Sequence, residues 1–166
     1  MEASDIYSYI NLSKTIGLLP NELNNNIDVT LLNKLKEEIE GKCISEGYVM
    51  PNTLSIINRS LGNVLVSHFN GTIIYNINYS VKVCNPLEGN IIEATVINAN
   101  KMGVMAHSGD GNSLPLNILL AKQHHIDNEV FETLKDGNKI LIKVLGKRFD
   151  SGEDQISIIG LLEKKL

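Results

Sequence analysis

The strict alternation from Ile73 to Val83, and its end at Asn85-Pro86, constrains the fold more than any other stretch. Ile73, Tyr75, Ile77, Tyr79, Val81 and Val83 are apolar at period two, while Asn76, Asn78, Ser80 and Lys82 take the other face. Successive side chains of a strand point to opposite sides, so this pattern reads as a long strand with one buried face. Asn70-Gly71 ahead of it is a hairpin turn signal. Pro86 cannot donate a ladder hydrogen bond, and Gly89 opens a second series of short β-like runs. The chain is therefore expected to divide near Asn85–Glu88 into two small domains, 1–85 and 86–166, which 166 residues permit.

Before the join, Ser13–Leu19 reads as an edge strand and residues 20–26 as a turn-rich break. Residues 29–40 read as a helix. Val29, Leu32, Leu35, Lys36 and Ile39 lie on one side, with only Lys36 spoiling it, Asp28 stands at the N-cap, and Gly41 follows the end. From Lys42 to Cys84 short strands alternate with Gly, Asn or Pro, including Gly47–Val49, Leu54–Ile57 and Val64–Phe69. After the join, strands are expected at 91–99, 101–107, 114–120, 139–146 and 155–162, with a flexible loop at 108–113 and a helical turn or two at 127–134. Five short strands with a helical insert between the third and fourth match the OB-barrel plan.

Composition sets limits on function. The chain carries a net charge of −4, whereas nucleic-acid affinity comes mainly from neutralising phosphates. A strong stand-alone nucleic-acid binder is therefore disfavoured, and a local basic patch remains possible. Cys43 and Cys84 have no CxxC spacing and read as two buried free thiols. No 18-residue apolar run and no charged-then-apolar leader is present, so a soluble, intracellular protein is expected.

Catalytic signatures are lacking: there is no GxSxG, HExxH or phosphate loop. Glu37, Glu38 and Glu40 read as a solvated helix face, and Glu153-Asp154 as a hairpin loop. His124-His125 reads as a polar loop at a barrel rim, since His68, His107 and the cysteines show no ligand spacing. Neither a metal nor a cofactor is expected. Lys147-Arg148-Phe149 offers two cations and an aromatic at a strand end, a pattern suited to phosphate contact and base stacking. Lys101, His107, Lys143 and His124 extend the same rim.

The layout resembles the larger stalk subunit of multisubunit DNA-directed RNA polymerases, the type of subunit seven of polymerase II and its archaeal and viral counterparts. The residues that carry the resemblance are 35–43, Glu46-Gly47-Tyr48-Val49, Phe69-Asn70-Gly71, 79–86, 89–96 and Met102-Gly103-Val104. It spans about residues 15–166. Lys outnumbers Arg 13 to 2, a skew that looks like AT-rich coding DNA, as in a large DNA virus or an AT-rich parasite.

The resemblance implies an α+β N-terminal tip domain, a helix on an antiparallel sheet, followed by an all-β OB barrel of the ribosomal S-one type. It implies a non-catalytic subunit. The tip would dock on the polymerase core through the loops that hold Glu46, Gly47, Arg59, Leu61 and Gly62. A smaller stalk subunit would be a second partner and nascent single-stranded RNA a weak third, met by Lys101, His107, Lys143, Lys147, Arg148 and Phe149. Such a subunit would lie in a virion or host cytoplasm if viral, and in the nucleus if cellular and eukaryotic. In place of the aromatics common beside the second strand's glycine in this domain type stand Met102, Val104 and Met105, which weakens base stacking. Two other readings remain open: a stand-alone OB-fold RNA-binding or translation factor, and a nuclease-like enzyme that captures substrate through the OB domain.

Overall fold

The computed structural model describes residues 2–67, 69–110 and 113–166. His68, within the expected 64–69 strand, and Gly111 and Asn112, within the expected 108–113 loop, lie outside the described residues. Packing divides the chain into two compact units. One joins Met1–Ser8, Gly41–Tyr48 and Cys84–Leu166, and the other Tyr9–Glu40 and Val49–Val83.

In the second unit the organising strand is β6 (Ile73–Cys84), which pairs with β1 (Tyr7–Leu18), β4 (Ser55–Arg59) and β5 (Asn63–Val64). Its alternation is realised as read: Tyr75, Ile77, Tyr79, Val81 and Val83 are buried, and Asn76 and Asn78 are exposed. The exposed face is knitted by side chains. Thr15 Oγ1 donates to Asn76 Oδ1 at 2.8 Å, Ser13 Oγ to Asn78 Oδ1 at 2.5 Å, and Asn78 Nδ2 to Asn58 Oδ1 at 2.7 Å. Cross-strand polar pairs of this kind help hold register. β1 is longer than the expected 13–19 strand, because Ile10, Leu12, Ile16 and Leu18 keep the same period from further back.

The helix α1 spans Ile27–Ile39 and buries Leu31, Leu35 and Ile39, spaced four apart. This corrects the expected face, since Val29 is exposed and Leu31 takes the inner position. The N-cap is Asn26, not Asp28. Asp28 is drawn instead into an ion pair with Arg59. Gly41 adopts a left-handed φ of +69° just past the helix, a conformation that glycine enters without the Cβ penalty.

In the first unit, β2 (Cys43–Ile44) and β3 (Gly47–Val49) form a short antiparallel pair, with Cys43 opposite Tyr48. β7 (Ile91–Ala99), β8 (Gly103–Asp110), β9 (Ser113–Ala121), β10 (Lys139–Arg148) and β11 (Ile156–Lys165) close into a barrel in the order β10-β11-β9-β8-β7. Four of the five pairings are antiparallel, and β9–β11 is parallel. A closed five-stranded barrel is compatible with the OB fold. Ile92, Val96, Val104, Leu116, Ile118, Leu120, Ile140, Ile142, Val144, Ile156 and Ile158 fill its interior. β8 and β9 extend into the expected 108–113 loop, reaching Asp110 and starting at Ser113.

The insert between β9 and β10 holds a 3-10 turn at Lys122–His124 and, within the expected 127–134, a single α-helical turn α2 (Glu129–Glu132). Asn128 caps it by accepting from the Phe131 N–H at 3.1 Å. His125 overturns the polar-loop reading. It is 5% exposed, and its ring stacks on Phe131 with centroids 4.3 Å apart. The Leu162 N–H donates to Nε2 at 2.8 Å, so Nε2 is the unprotonated nitrogen and Nδ1 donates to the Ala121 carbonyl at 2.8 Å. His124 is exposed.

Candidate functional site

The outer wall of the barrel carries the most developed surface. A β-bulge at Leu145, between Val144 and Gly146, resets the alternation of β10. Val144 points inward before it, and Gly146 lies opposite the outward-facing Ile159 after it. Two lateral rows result. Met105, Leu119, Ile159 and Gly146 stand opposite one another across β8, β9, β11 and β10, and two residues along each strand His107, Asn117, Ser157 and Arg148 do the same. The first row is apolar and the second polar.

These rows border a groove of about 560 Å³ lined by Met105, Asn117, Leu119, Lys147, Arg148 and Ile159 among others. Met105, Leu119 and Ile159 are 38%, 45% and 47% exposed. Gly146 leaves the floor open, because a Cβ built there meets no atom within 4 Å. The lining includes two cations and no carboxylate. Lys147 Nζ donates to Asn85 Oδ1.

Of the expected rim residues, Lys147 and Arg148 line this groove and Lys101, His107, Lys143 and Phe149 do not. Lys101 is exposed in the β7–β8 turn and lines a different hollow with Lys122, Phe131 and Glu132. Lys143 is exposed on β10 ahead of the bulge, and Phe149 is half-buried just past the strand. His107 is half-buried and lines a polar hollow with Ser4, Thr95, Ser108 and Lys139. Its Nδ1 is buried without a hydrogen-bond partner, the one such side-chain atom among the described residues.

The loop residues have distinct local roles. Glu46 accepts from Ser45 Oγ at 2.7 Å. Gly47 has φ +133°, and a Cβ there would lie 2.5 Å from the Cys84 carbonyl oxygen. Arg59 is engaged by Asp28 and lies 5.4 Å from the Tyr75 ring centroid. A Cβ on Gly62 would meet Ile73 Cγ2 at 2.5 Å. Leu61 alone of this set is a freely presented apolar side chain, 85% exposed. Val64, Val66 and Phe69 are also exposed. The sequence shows them as a strand run, but only Asn63–Val64 pairs, and apolar residues that do not pair or pack are left outside.

Cys43 and Cys84 form no disulfide and are buried. Burial pushes the Cys43 thiol up to about 11, with the Glu153 and Asp154 carboxylates adding to the rise. Among the described residues no three His, Cys, Asp or Glu side chains gather to hold a metal ion, and no helix is long and apolar enough to cross a membrane.

A helix-bearing β unit and a closed five-stranded barrel define a two-unit, β-rich protein whose barrel is compatible with the OB fold. No family model matches the chain. The chain is 27% identical over 161 residues to "DNA-directed RNA polymerase II subunit 7" of Arabidopsis thaliana, covering 88% of this chain and 87% of that one. It is 28% identical over 163 residues to the corresponding polymerase II subunit of Glycine max, covering 89% and 88%. A protein of Acanthamoeba polyphaga mimivirus, named provisionally as a DNA-directed RNA polymerase subunit, is 28% identical over 171 residues, covering 100% of this chain and 81% of the relative. The resemblance to the subunit-seven type of multisubunit DNA-directed RNA polymerase holds along nearly the whole chain.

Proposed function

We propose that the chain is a non-catalytic stalk subunit of a DNA-directed RNA polymerase, with a tip domain at 1–85 and an OB domain at 86–166. The observation that carries the reading is the near full-length likeness to polymerase subunits from plants and from a large DNA virus. A conserved activity could come from a short shared module, but a likeness covering 88% of the chain argues for the role of the whole subunit. The unbroken run from Cys84 to Leu166 in one compact unit supports a boundary at the Pro86 join, while Met1–Ser8 and Gly41–Tyr48, with Glu46 and Gly47, belong to that same unit and depart from a tip at 1–85.

The tip docks on the polymerase core through Glu46, Gly47, Arg59, Leu61 and Gly62. The exposure of Leu61 supports this, because an unpacked apolar residue on a loop suits an interface anchor. A smaller stalk subunit is the second partner. Nascent single-stranded RNA is a weak third, met by the cations Lys101, Lys143, Lys147 and Arg148, with His107 and Phe149 beside them. Affinity purification of the tagged full chain from its native host tests the reading: large polymerase subunits are expected with it. Their absence from a purification that yields folded protein refutes it.

A further inference from the structure

We propose that the groove between the bulge of β10 and the Met105–Leu119–Ile159 row docks an acidic amphipathic segment of a protein partner. The partner's apolar side chains sit on Met105, Leu119 and Ile159, and its carboxylates face Arg148 and Lys147. The inference goes beyond membership of a polymerase, and at Lys147 and Arg148 it competes with the RNA contact proposed above: one occupant of the groove excludes the other.

Three features choose this occupant. One side of the groove is apolar, formed by Met105, Leu119 and Ile159, the other holds Asn117, Ser157 and Arg148, and no Phe or Tyr lines it. Single-stranded nucleic acid is usually held by aromatic platforms on which bases stack, whereas aliphatic grooves receive the apolar face of a peptide helix. The barrel is closed, so its wall offers no free strand edge to extend, and recognition has to come from side chains. The charge is also one-sided. Within a chain of net charge −4, this groove is lined by Lys147 and Arg148 and by no carboxylate. Among the described residues the Arg148 guanidinium has no ion-pair or hydrogen-bond partner, unlike the Lys147 ammonium, which holds Asn85. An apolar seat with an unpaired guanidinium at one end fits a ligand with apolar anchors and an acidic flank.

Gly146 makes the proposal testable without disturbing the core. A side chain there enters open space, so Gly146→Leu fills the groove from its floor while the barrel interior is untouched. The probe is a fluorescent helical peptide of about 18 residues, with Leu and Ile on one face and Glu on the other. It is titrated into the full chain by anisotropy, and the contacts are mapped by NMR. Its controls are a peptide with Lys in place of every Glu, a peptide with the apolar pattern scrambled, and a ten-nucleotide oligouridine.

The acidic amphipathic peptide is expected to bind and to shift the Met105, Leu119 and Ile159 signals. Gly146→Leu and Ile159→Glu should each weaken it about tenfold or more. Arg148→Glu should weaken it severalfold, by an amount that shrinks as salt rises. An unchanged melting temperature for Gly146→Leu shows that the loss is local. The proposal is overturned if the acidic peptide does not bind, or if it binds no better than the Lys or scrambled peptide. It is equally overturned if Gly146→Leu leaves binding intact, if oligouridine is the probe that Gly146→Leu displaces, or if the groove proves to close a self-dimer.

Discussion

His125 gives the sharpest test of how the barrel is held. Its ring ties three separated pieces of chain: Ala121 at the end of β9, Phe131 in α2 and Leu162 in β11. The need for it is local. β11 carries an extra residue, Glu163, between the partners of Leu141 and Ile142, and beside this bulge the Leu162 N–H finds its acceptor in Nε2. His125→Phe keeps a ring against Phe131 and removes both hydrogen bonds. An unsatisfied buried donor costs about 1–3 kcal/mol, and because the Leu162 N–H is only part-buried the lower half applies, about 1–2 kcal/mol. His125→Ala loses the stack as well, a further ~0.5–1.5 kcal/mol, besides the cavity it leaves. At roughly 2–4 °C per kcal/mol for a chain of this size, His125→Phe should lower the melting temperature by about 2–8 °C, and His125→Ala by more. Calorimetry of both variants, with hydrogen exchange at the Leu162 amide, measures this. If His125→Phe matched the parent in stability and kept Leu162 protected, the histidine would be a packed ring and not a tie.

Further outcomes follow from the same geometry. Leu61→Asp should leave the melting temperature unchanged and weaken association with the polymerase core, as read by co-purification. Gly47→Ala should destabilise by about 2 kcal/mol or more in denaturant titration, since a Cβ lies 2.5 Å from the Cys84 carbonyl at a φ of +133°. If the barrel rim meets transcript, Lys147→Ala with Arg148→Ala should flatten the salt dependence of oligouridine binding by about two units of slope, and adding Phe149→Ala should cost ~1–3 kcal/mol more; equal affinity would assign the strand end to solvent. The Cys43 thiol rises from 9.0 in the unfolded chain to about 11 in the folded one. Its contribution to stability is therefore fully present below pH 9 and is lost as pH rises through 11. Native-state alkylation of Cys43 should accordingly stay slow at pH 8, with unfolding required for full labelling.

The β6 strand, the five barrel strands and the α1 helix were legible from the chain alone, because each has a hydrophobic period that burial then satisfies. The likeness to polymerase subunits was legible too, from the order and spacing of loose motifs along the chain. Helix phase was not: Val29 and Leu31 suit a buried stripe equally well, and only packing exposed the first and buried the second. His125 carried no local mark of its role, since its three partners come from positions 121, 131 and 162. The wall groove was hidden for the same kind of reason. Met105, Leu119 and Ile159 are ordinary strand residues until pairing sets them side by side, and the bulge at Leu145 decides that Gly146 and Arg148 join their face. Periodicity is written residue by residue, but register and bulges arise only when distant strands compete for the same hydrogen bonds. The elements were therefore set by the sequence locally, and the surface they present was decided by the tertiary structure.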